Sequence, residues 1–229
     1  MSLTAFEYSR PSSLREALAE LAEYPGARPL AGGMSLLPLV KMELAEPSRL
    51  VDLSRIEELS GIEDVGDSIR IGAMTRHYMV ARHPLVTEHV PLLARTASHI
   101  GDPQVRHRGT IGGSLAHADP AADFPAAVLA ADAVIEAAST AGTRDIPAPE
   151  FFLGPLATVL AADEVVVAVR VPKQGARRQH YAKVPHPASG YAVVGVAVSL
   201  DCTGEMVRGA RIAVTGVAGA AFRALRAET

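Results

Sequence analysis

The chain has 229 residues, 48% of them hydrophobic and 21% charged, with a formal net charge of −3, which is ordinary for a folded protein of one large or two modest domains. No Lys/Arg block supplies the footprint of a nucleic-acid binder, no apolar run approaches the ~20 residues of a membrane span, and no secretion signal opens the chain, so we expect a cytoplasmic protein. Cys202 is the only cysteine, which excludes an internal disulfide and a thiolate-held zinc or iron–sulfur centre.

The first fifty residues alternate between strand and helix patterns. Ser13 and Glu16 have the spacing of a capping box, which predicts a helix start. Right-handed crossovers make parallel pairing the default for strands separated by helices. The expected elements are a strand at 4–8, a helix from Ser13 to Gly26, a strand at 28–31, a helix capped by Ser35 and ended by Pro47, and a strand at 50–53.

The middle of the chain has a different pattern. Alternating apolar residues around a Gly66-Asp67 turn predict a hairpin. We expect Thr75 and Asp123 to cap helices, because both precede helical patterns. The other expected elements are a helix from Pro91 that breaks at Asp102-Pro103, paired strands at 133–137 and 143–146, and an apolar strand at 164–171.

The last fifty residues contain only strand patterns. Residues 173–178 are polar, contain a glycine, and are the best linker candidate. Strands are expected at 180–184, 191–200 and 210–217, with a turn at 201–204. Three strands with one apolar face are marginal alone, and we find no segment in the sequence that would cover them.

Two glycine pairs dominate the functional pattern: Gly32-Gly33 and, eighty residues later, Gly112-Gly113. Glycine accepts positive φ and lets a backbone approach a ligand closely. A helix beginning just after the pair would point free N–H groups at an anion. One pair alone would be an ordinary turn. Two matched pairs predict loops that close on one dinucleotide, although neither has the Walker or the Rossmann pattern.

The remaining polar clusters are less specific. His117, Asp119 and Asp123 lack the ligand set that zinc or a hard cation needs, so we expect turn and cap roles and no metal. Residues 106–108 are Arg-His-Arg, which fits phosphate neutralisation, an acidic partner or a solvated loop. No catalytic nucleophile, acid or base is evident. A cofactor cradle without catalytic groups fits an electron carrier, whose chemistry belongs to the cofactor.

The chain resembles the FAD-binding medium subunits of the molybdenum hydroxylases, of the carbon monoxide dehydrogenase and xanthine dehydrogenase type. The resemblance covers residues 4–217 and is carried by AGGMSLLPLVKMELAEPSRLVDLSRI, IGAMTRH, IGDPQVRHRGTIGGSLAHADPAADFPAAVLAADA and YAKVPHPASGYAVVGVAV. It implies an α+β fold, a two-lobed FAD-binding domain of the PCMH/vanillyl-alcohol-oxidase type. The implied boundaries are lobe 1 at 1–55, lobe 2 at 56–172 and the β part of a C-terminal domain at 178–229.

The resemblance also implies the site and the partners. Asp123 is expected to contact FAD or its loop, and Lys183 and Tyr191 are expected near the isoalloxazine ring. The expected partners are an iron–sulfur small subunit with two 2Fe–2S clusters and a molybdopterin large subunit that oxidises the substrate, in a heterotrimer. The residues expected to hold the FAD diphosphate are Ala31, Gly32, Gly33, Met34, Ser35, Thr110, Ile111, Gly112, Gly113 and Ser114.

Two features depart from the family pattern. Position 34 is usually polar, so Met34 removes a side-chain hydrogen bond while its backbone donor remains. The helical bundle that follows the third strand in the family is absent from the sequence. Two alternatives therefore stay open: a self-contained flavin oxidase, and a non-catalytic remnant that has lost FAD competence.

Overall fold

The computed structural model describes residues 5–229, so Thr4, expected in the first strand, lies outside the described part. The strands are β1 (Glu7–Ser9), β2 (Ala27–Leu30), β3 (Arg49–Asp52), β4 (Ile62–Asp64), β5 (Ser68–Gly72), β6 (Val134–Ser139), β7 (Gly142–Pro147), β8 (Phe152–Gly154), β9 (Ala157–Thr158), β10 (Val165–Pro172), β11 (Arg178–Pro185), β12 (Ala192–Thr203), β13 (Met206–Thr215) and β14 (Phe222–Arg223). The α-helices are α1 (Leu14–Glu23), α2 (Leu36–Lys41), α3 (His77–Arg82), α4 (Pro84–His89), α5 (Pro91–Ser98), α6 (Pro103–Arg108), α7 (Ile111–His117), α8 (Asp123–Ala130) and α9 (Ala148–Phe151). Over residues 5–229, none of these helices has the length and apolarity to cross a membrane.

The first sheet is parallel, as the crossover rule predicts. β3 lies between β1 and β2 and pairs in parallel with both. The predicted start of α1 is confirmed, since the Ser13 hydroxyl accepts a hydrogen bond from the Glu16 N–H at 3.3 Å. The return contact differs by one residue, because the Glu16 carboxylate accepts from the backbone N–H of Ser12 at 2.9 Å.

The second helix departs from its prediction at both ends. Ser35 precedes α2, but its side chain caps no N–H group, and its backbone is already in the helical region (φ −108°, ψ −50°). A capping hydroxyl normally requires extended backbone at that position, so the cap prediction is wrong. The helix ends at Lys41, well before Pro47.

The second sheet has five strands in the order β4-β5-β10-β6-β7, all antiparallel. This arrangement confirms the predicted hairpin and the predicted strand pair. β10 is central and buried on both faces: Val166 and Val169 pack into the main core, whereas Val165 and Val167 pack against the core around α1 and β3. Burial on both faces explains why this strand is apolar without alternation.

Both predicted caps in the middle of the chain are wrong. The Thr75 hydroxyl bridges the backbone of Gly61, donating to its carbonyl at 2.9 Å and accepting from its N–H at 3.1 Å, and Arg76 precedes α3 without a side-chain cap. Asp123 lies inside the first turn of α8, where its carboxylate is buried and bonded to other side chains. Both polar side chains form hydrogen bonds to other parts of the chain, so neither is available to cap a helix.

Three short helices, α4, α6 and α9, were not predicted. α4 begins at Pro84, and α6 covers residues that the sequence pattern left without an assignment. α6 is capped by Asp102, whose carboxylate accepts the Val105 N–H at 2.8 Å. Asp102-Pro103 therefore starts a helix as well as ending the preceding segment, since proline is favourable in a first helical turn.

The third sheet has the order β11-β12-β13-β14 and is antiparallel, which confirms the three predicted strands. Its inner face is covered by α8 of the same chain, because Tyr181, Ala197 and Ala213 join the main core. The expected linker is anchored: the Gln174 amide donates to the carbonyls of Ala131 and Pro172 at 3.2 and 2.8 Å.

Candidate functional site

A cavity of about 330 Å³ lies where the loop after β2, the start of α7, the start of α8 and the loop before β12 meet. The sequence-predicted residues that line it are 31–35, Thr110, 112–114, Asp123 and Tyr191. Two predicted residues lie elsewhere. Ile111 is fully buried in the main core, and the Lys183 side chain is 2% exposed against Asp123.

The first glycine pair lies in the loop after β2 and lines the cavity. A Cβ on Gly32 would lie 2.2 Å from the Arg108 carbonyl oxygen, so the bare backbone lets this loop touch the chain that enters the second loop. Gly33 has φ +73°, a conformation that suits glycine. Among residues 5–229, the N–H groups of residues 32–35 have no protein acceptor. Four successive free donors can bind an anionic ligand.

The second glycine pair lies inside the first turn of α7 and has a different environment. The N–H of Gly112 donates to the Ala73 carbonyl at 2.9 Å, and that of Gly113 donates to the Thr110 hydroxyl at 3.2 Å. The Ser114 N–H also has an acceptor, the Thr110 carbonyl at 3.0 Å. A Cβ on Gly112 would lie 2.4 Å from the Ala73 Cβ, so this glycine allows close packing of the helix. The expected free N–H groups are therefore found only at the first pair.

A buried ion pair joins α8 to the third sheet beside the cavity. The Asp123 carboxylate accepts hydrogen bonds from the Tyr181 hydroxyl at 2.5 Å and from the Lys183 ammonium at 2.9 Å. Lys183 also donates to the His99 carbonyl at 3.0 Å. Burial raises the pKa of Asp123, although both donors oppose that shift. Burial, and then the Asp123 charge, raise the pKa of Tyr181, which keeps its hydroxyl a donor.

The loop before β12 brings Tyr191 to the same cavity as the first glycine pair. Tyr191 is 41% exposed, and burial of the remainder of its ring raises its pKa, with a second contribution from Asp119 and a small opposing one from Ser35. His117 also lines the cavity, and burial lowers its pKa while Asp119 opposes the shift. Tyr191 and His117, the latter in the last turn of α7, thus add polar side chains to the lining of the cavity.

The sequence analysis missed His77. It lies at the start of α3, lines the cavity and is only 4% exposed. Burial, followed by the nearby Arg106 charge, lowers the pKa of His77 to about 4. One histidine in a short helix gave no sequence signal, because its position depends on the contact between α3 and the chain before α7.

The basic cluster at residues 106–108 lies outside the cavity. Arg106 instead donates to the carbonyls of Ile100 and Gly101, each at 3.0 Å. In the described part of the chain, no group of three or more His, Cys, Asp or Glu side chains is placed to hold a metal ion.

The free backbone donors at this cavity define a site for an anionic ligand. Residues 4–174 match the protein family described as the FAD binding domain in molybdopterin dehydrogenase. The chain belongs to this family, and the α+β fold class and FAD as the cofactor, both expected from the resemblance, are confirmed.

Named relatives agree with this assignment. The nicotine 6-hydroxylase medium subunit of Paenarthrobacter nicotinovorans is 38% identical over 100% of this chain and 80% of its own length. The carbon monoxide dehydrogenase medium chain of Hydrogenophaga pseudoflava is 43% identical over 95% of this chain and 77% of its own. A solved structure of the Hydrogenophaga pseudoflava enzyme superposes with a TM-score of 0.94, covering 97% of this chain and 78% of that chain at 43% identity. The chain is thus an oxidoreductase subunit of the molybdenum hydroxylase type.

Proposed function

We propose that this chain is the electron-transfer subunit of a three-subunit molybdenum hydroxylase. In this proposal it receives electrons from 2Fe–2S clusters on a small partner subunit and delivers them to an external acceptor. The substrate is oxidised at molybdopterin on a large partner subunit. The observation that carries the proposal is a set of four free backbone donors lining a cavity in a chain of an FAD-binding family.

The residues present fit FAD at this place. The free N–H groups of residues 32–35 would hold the diphosphate, which needs donors more than it needs positive side chains. Thr110 and Ser114 also line the cavity. Bound FAD would supply the redox chemistry, since flavins exchange electrons singly and in pairs.

The segment that leads into the second glycine pair contacts the first pair through its backbone. Gly32 packs directly on the Arg108 carbonyl, and Arg108 precedes the cap residue of α7 by two positions. The satisfied N–H groups of α7 fix that helix against Ala73. In this proposal the second pair positions the donors of the first pair and adds hydroxyls, while the first pair contacts the diphosphate.

Asp123 and Lys183 have a positioning role in the proposal. Their ion pair fixes the third sheet on α8, and the third sheet supplies Tyr191 to the lining of the cavity. Water is excluded from the pair itself, because both side chains are at least 96% buried. We propose domain boundaries at 1–55, 56–172 and 178–229, each containing one of the three larger sheets, with the two-stranded β8-β9 sheet also inside 56–172.

Met34 does not remove the donors on which the proposal depends. Its side chain is 37% exposed, and its backbone N–H belongs to the free set. The chain therefore keeps the backbone part of the diphosphate site while lacking a polar side chain there. This argues against the reading of the protein as a remnant that has lost FAD competence.

The decisive experiment combines reconstitution with co-purification. The apo chain is titrated with FAD, and binding is followed by flavin absorbance and fluorescence. The chain is then isolated with its partners from the native host, and molybdenum, iron and flavin are quantified. We expect saturable FAD binding and a complex containing all three cofactors. A folded chain that binds no FAD, or that turns over a small alcohol without a partner, would refute the proposal.

A further inference from the structure

His77 lies at the wall of the cavity, between the two segments that carry the second glycine pair and the ion pair. Its backbone N–H donates to the Gly109 carbonyl at 3.0 Å. Its ring centroid is 5.2 Å from that of Phe124, at an interplanar angle of 59°. A Cβ on Gly109 would lie 2.5 Å from the Nε2 atom, so this nitrogen is adjacent to the Gly109 backbone. Both His77 and Gly109 line the cavity.

The hydrogen bonds of the His77 ring bear on which of its nitrogens carries the proton. Within residues 5–229, the Nδ1 atom is buried and has no partner. A neutral imidazole has one N–H and one bare nitrogen. A proton on Nδ1 would bury an N–H without an acceptor, at a cost of about 1–3 kcal/mol. The tautomer with the proton on Nε2, the nitrogen next to Gly109, avoids that buried donor, and we assign the proton there.

We propose that His77 contacts the bound dinucleotide and that its Nε2–H donates a hydrogen bond to an acceptor oxygen of that ligand. The inference rests on the proposed function, since it adds a side-chain donor to the FAD site. The Nε2–H of a neutral histidine carries no net charge. It would therefore help to orient the ligand without adding positive charge to the site. It also complements the first glycine pair, which supplies backbone donors from another segment that lines the cavity.

Variants at His77 and at a matched histidine test the contact. His83 also has a buried Nδ1 without a described partner, but it does not line the cavity. We expect His77→Phe to weaken FAD binding about tenfold, the size of one lost hydrogen bond. His77→Gln keeps a donor and should recover most of the affinity. His83→Phe should bind FAD as the unchanged chain does.

A spectroscopic measurement gives a second, independent readout. The chain is labelled with ¹⁵N-histidine, and the ring nitrogens are observed by long-range proton–nitrogen correlation, first alone and then with FAD. We expect the Nε2–H tautomer for His77 in both samples and a shift of its Nε2 resonance on FAD binding. Adenosine diphosphate is added separately, and a shift with this probe would place the contact at the diphosphate end.

The outcomes separate this inference from the proposed function. A folded chain that binds no FAD overturns both. Equal FAD affinity of the unchanged chain and folded His77→Phe overturns the inference alone. If His77→Phe does not fold, the labelled unchanged chain decides: FAD binding without any change in the His77 resonances overturns the inference, and a changed Nε2 resonance supports it.

Discussion

The two glycine pairs have nearly the same sequence, yet their backbones are used differently. At Gly32-Gly33 the chain is an open loop whose N–H groups have no acceptor in the described part of the protein. At Gly112-Gly113 the chain is already helical, and its N–H groups bond to Ala73 and Thr110. The first pair leaves its N–H groups free beside the cavity, whereas the second packs against protein.

The difference shows that the same Gly-Gly pattern can meet different structural requirements. Gly33 is needed for its positive φ, and Gly32 is needed because the Arg108 carbonyl passes where a Cβ would be. Gly112 is needed because α7 packs on Ala73. In the first pair, the conformation and the close contact leave donors unused, and unused donors are what an anion requires.

The largest effect is expected for Gly32→Ala. The added Cβ would lie 2.2 Å from a backbone oxygen, which cannot move as a flexible side chain can. The two loops must separate, so we expect FAD affinity to fall at least about a hundredfold and the free energy of unfolding to fall by about 3 kcal/mol. FAD titration and urea unfolding measure the two effects.

Gly154→Ala is the matched control for that variant. Gly154 has an ordinary φ, and a Cβ there meets no atom within 4 Å. It should change neither FAD affinity nor stability appreciably. If Gly32→Ala behaves like this control, the close contact between the two loops is not what shapes the cradle.

The second largest effect is expected in the pH dependence of stability, through His77, which contacts the segment before the second glycine pair. His77 touches Gly109, and its folded pKa of about 4 is below the ordinary value of 6.5 because its ring is buried. The neutral form stabilises the fold fully above pH 6.5, and this contribution is lost as pH falls from 6.5 towards 4. The difference in pKa corresponds to about 3 kcal/mol.

Urea unfolding between pH 7 and pH 4 checks this expectation. His77→Gln removes the titrating group and should flatten the dependence in that window, while other groups continue to titrate in both proteins. Parallel curves for the two proteins would mean that His77 is not held neutral by its surroundings.

Gly112→Ala should separate stability from ligand binding. Its Cβ would meet the Ala73 Cβ at 2.4 Å, so α7 must shift away from the end of β5. We expect the free energy of unfolding to fall by about 2 kcal/mol. FAD affinity, measured well below the melting temperature, should fall much less than in Gly32→Ala. A large affinity loss at unchanged stability would instead show that the second pair contacts the ligand directly.

The sequence predicted the regular elements well, because their signals are local or periodic. The apolar run of β10 marked a strand, and the parallel pairing of β3 followed from crossover handedness. Caps were predicted less well, since a hydroxyl or carboxylate can bond elsewhere in the fold. Thr75 bonds to Gly61, and Asp123 bonds to Tyr181.

The sequence predicted which loops form the candidate site, but not which of their N–H groups are free to bind a ligand. The positions of both glycine pairs followed from sequence, and they line one cavity. Which N–H groups are free depends on Ala73 and Thr110, and nothing local in the sequence gives those partners. His77 was missed for the same reason, because its neighbours Gly109 and Phe124 are distant in sequence.

The smallest effects are expected when the hydroxyl is removed from the residue that precedes α7 or from the residue that precedes α2. Thr110 has extended backbone and its hydroxyl accepts the Gly113 N–H, so it caps α7, whereas Ser35 caps nothing. We expect Thr110→Ala to lower the free energy of unfolding by about 1 kcal/mol, and Ser35→Ala to change it by less than about 0.5 kcal/mol. Urea unfolding of both variants in one buffer gives the difference. Equal losses would mean that the Ser35 hydroxyl does cap α2 in solution, and the two helix starts would then be alike.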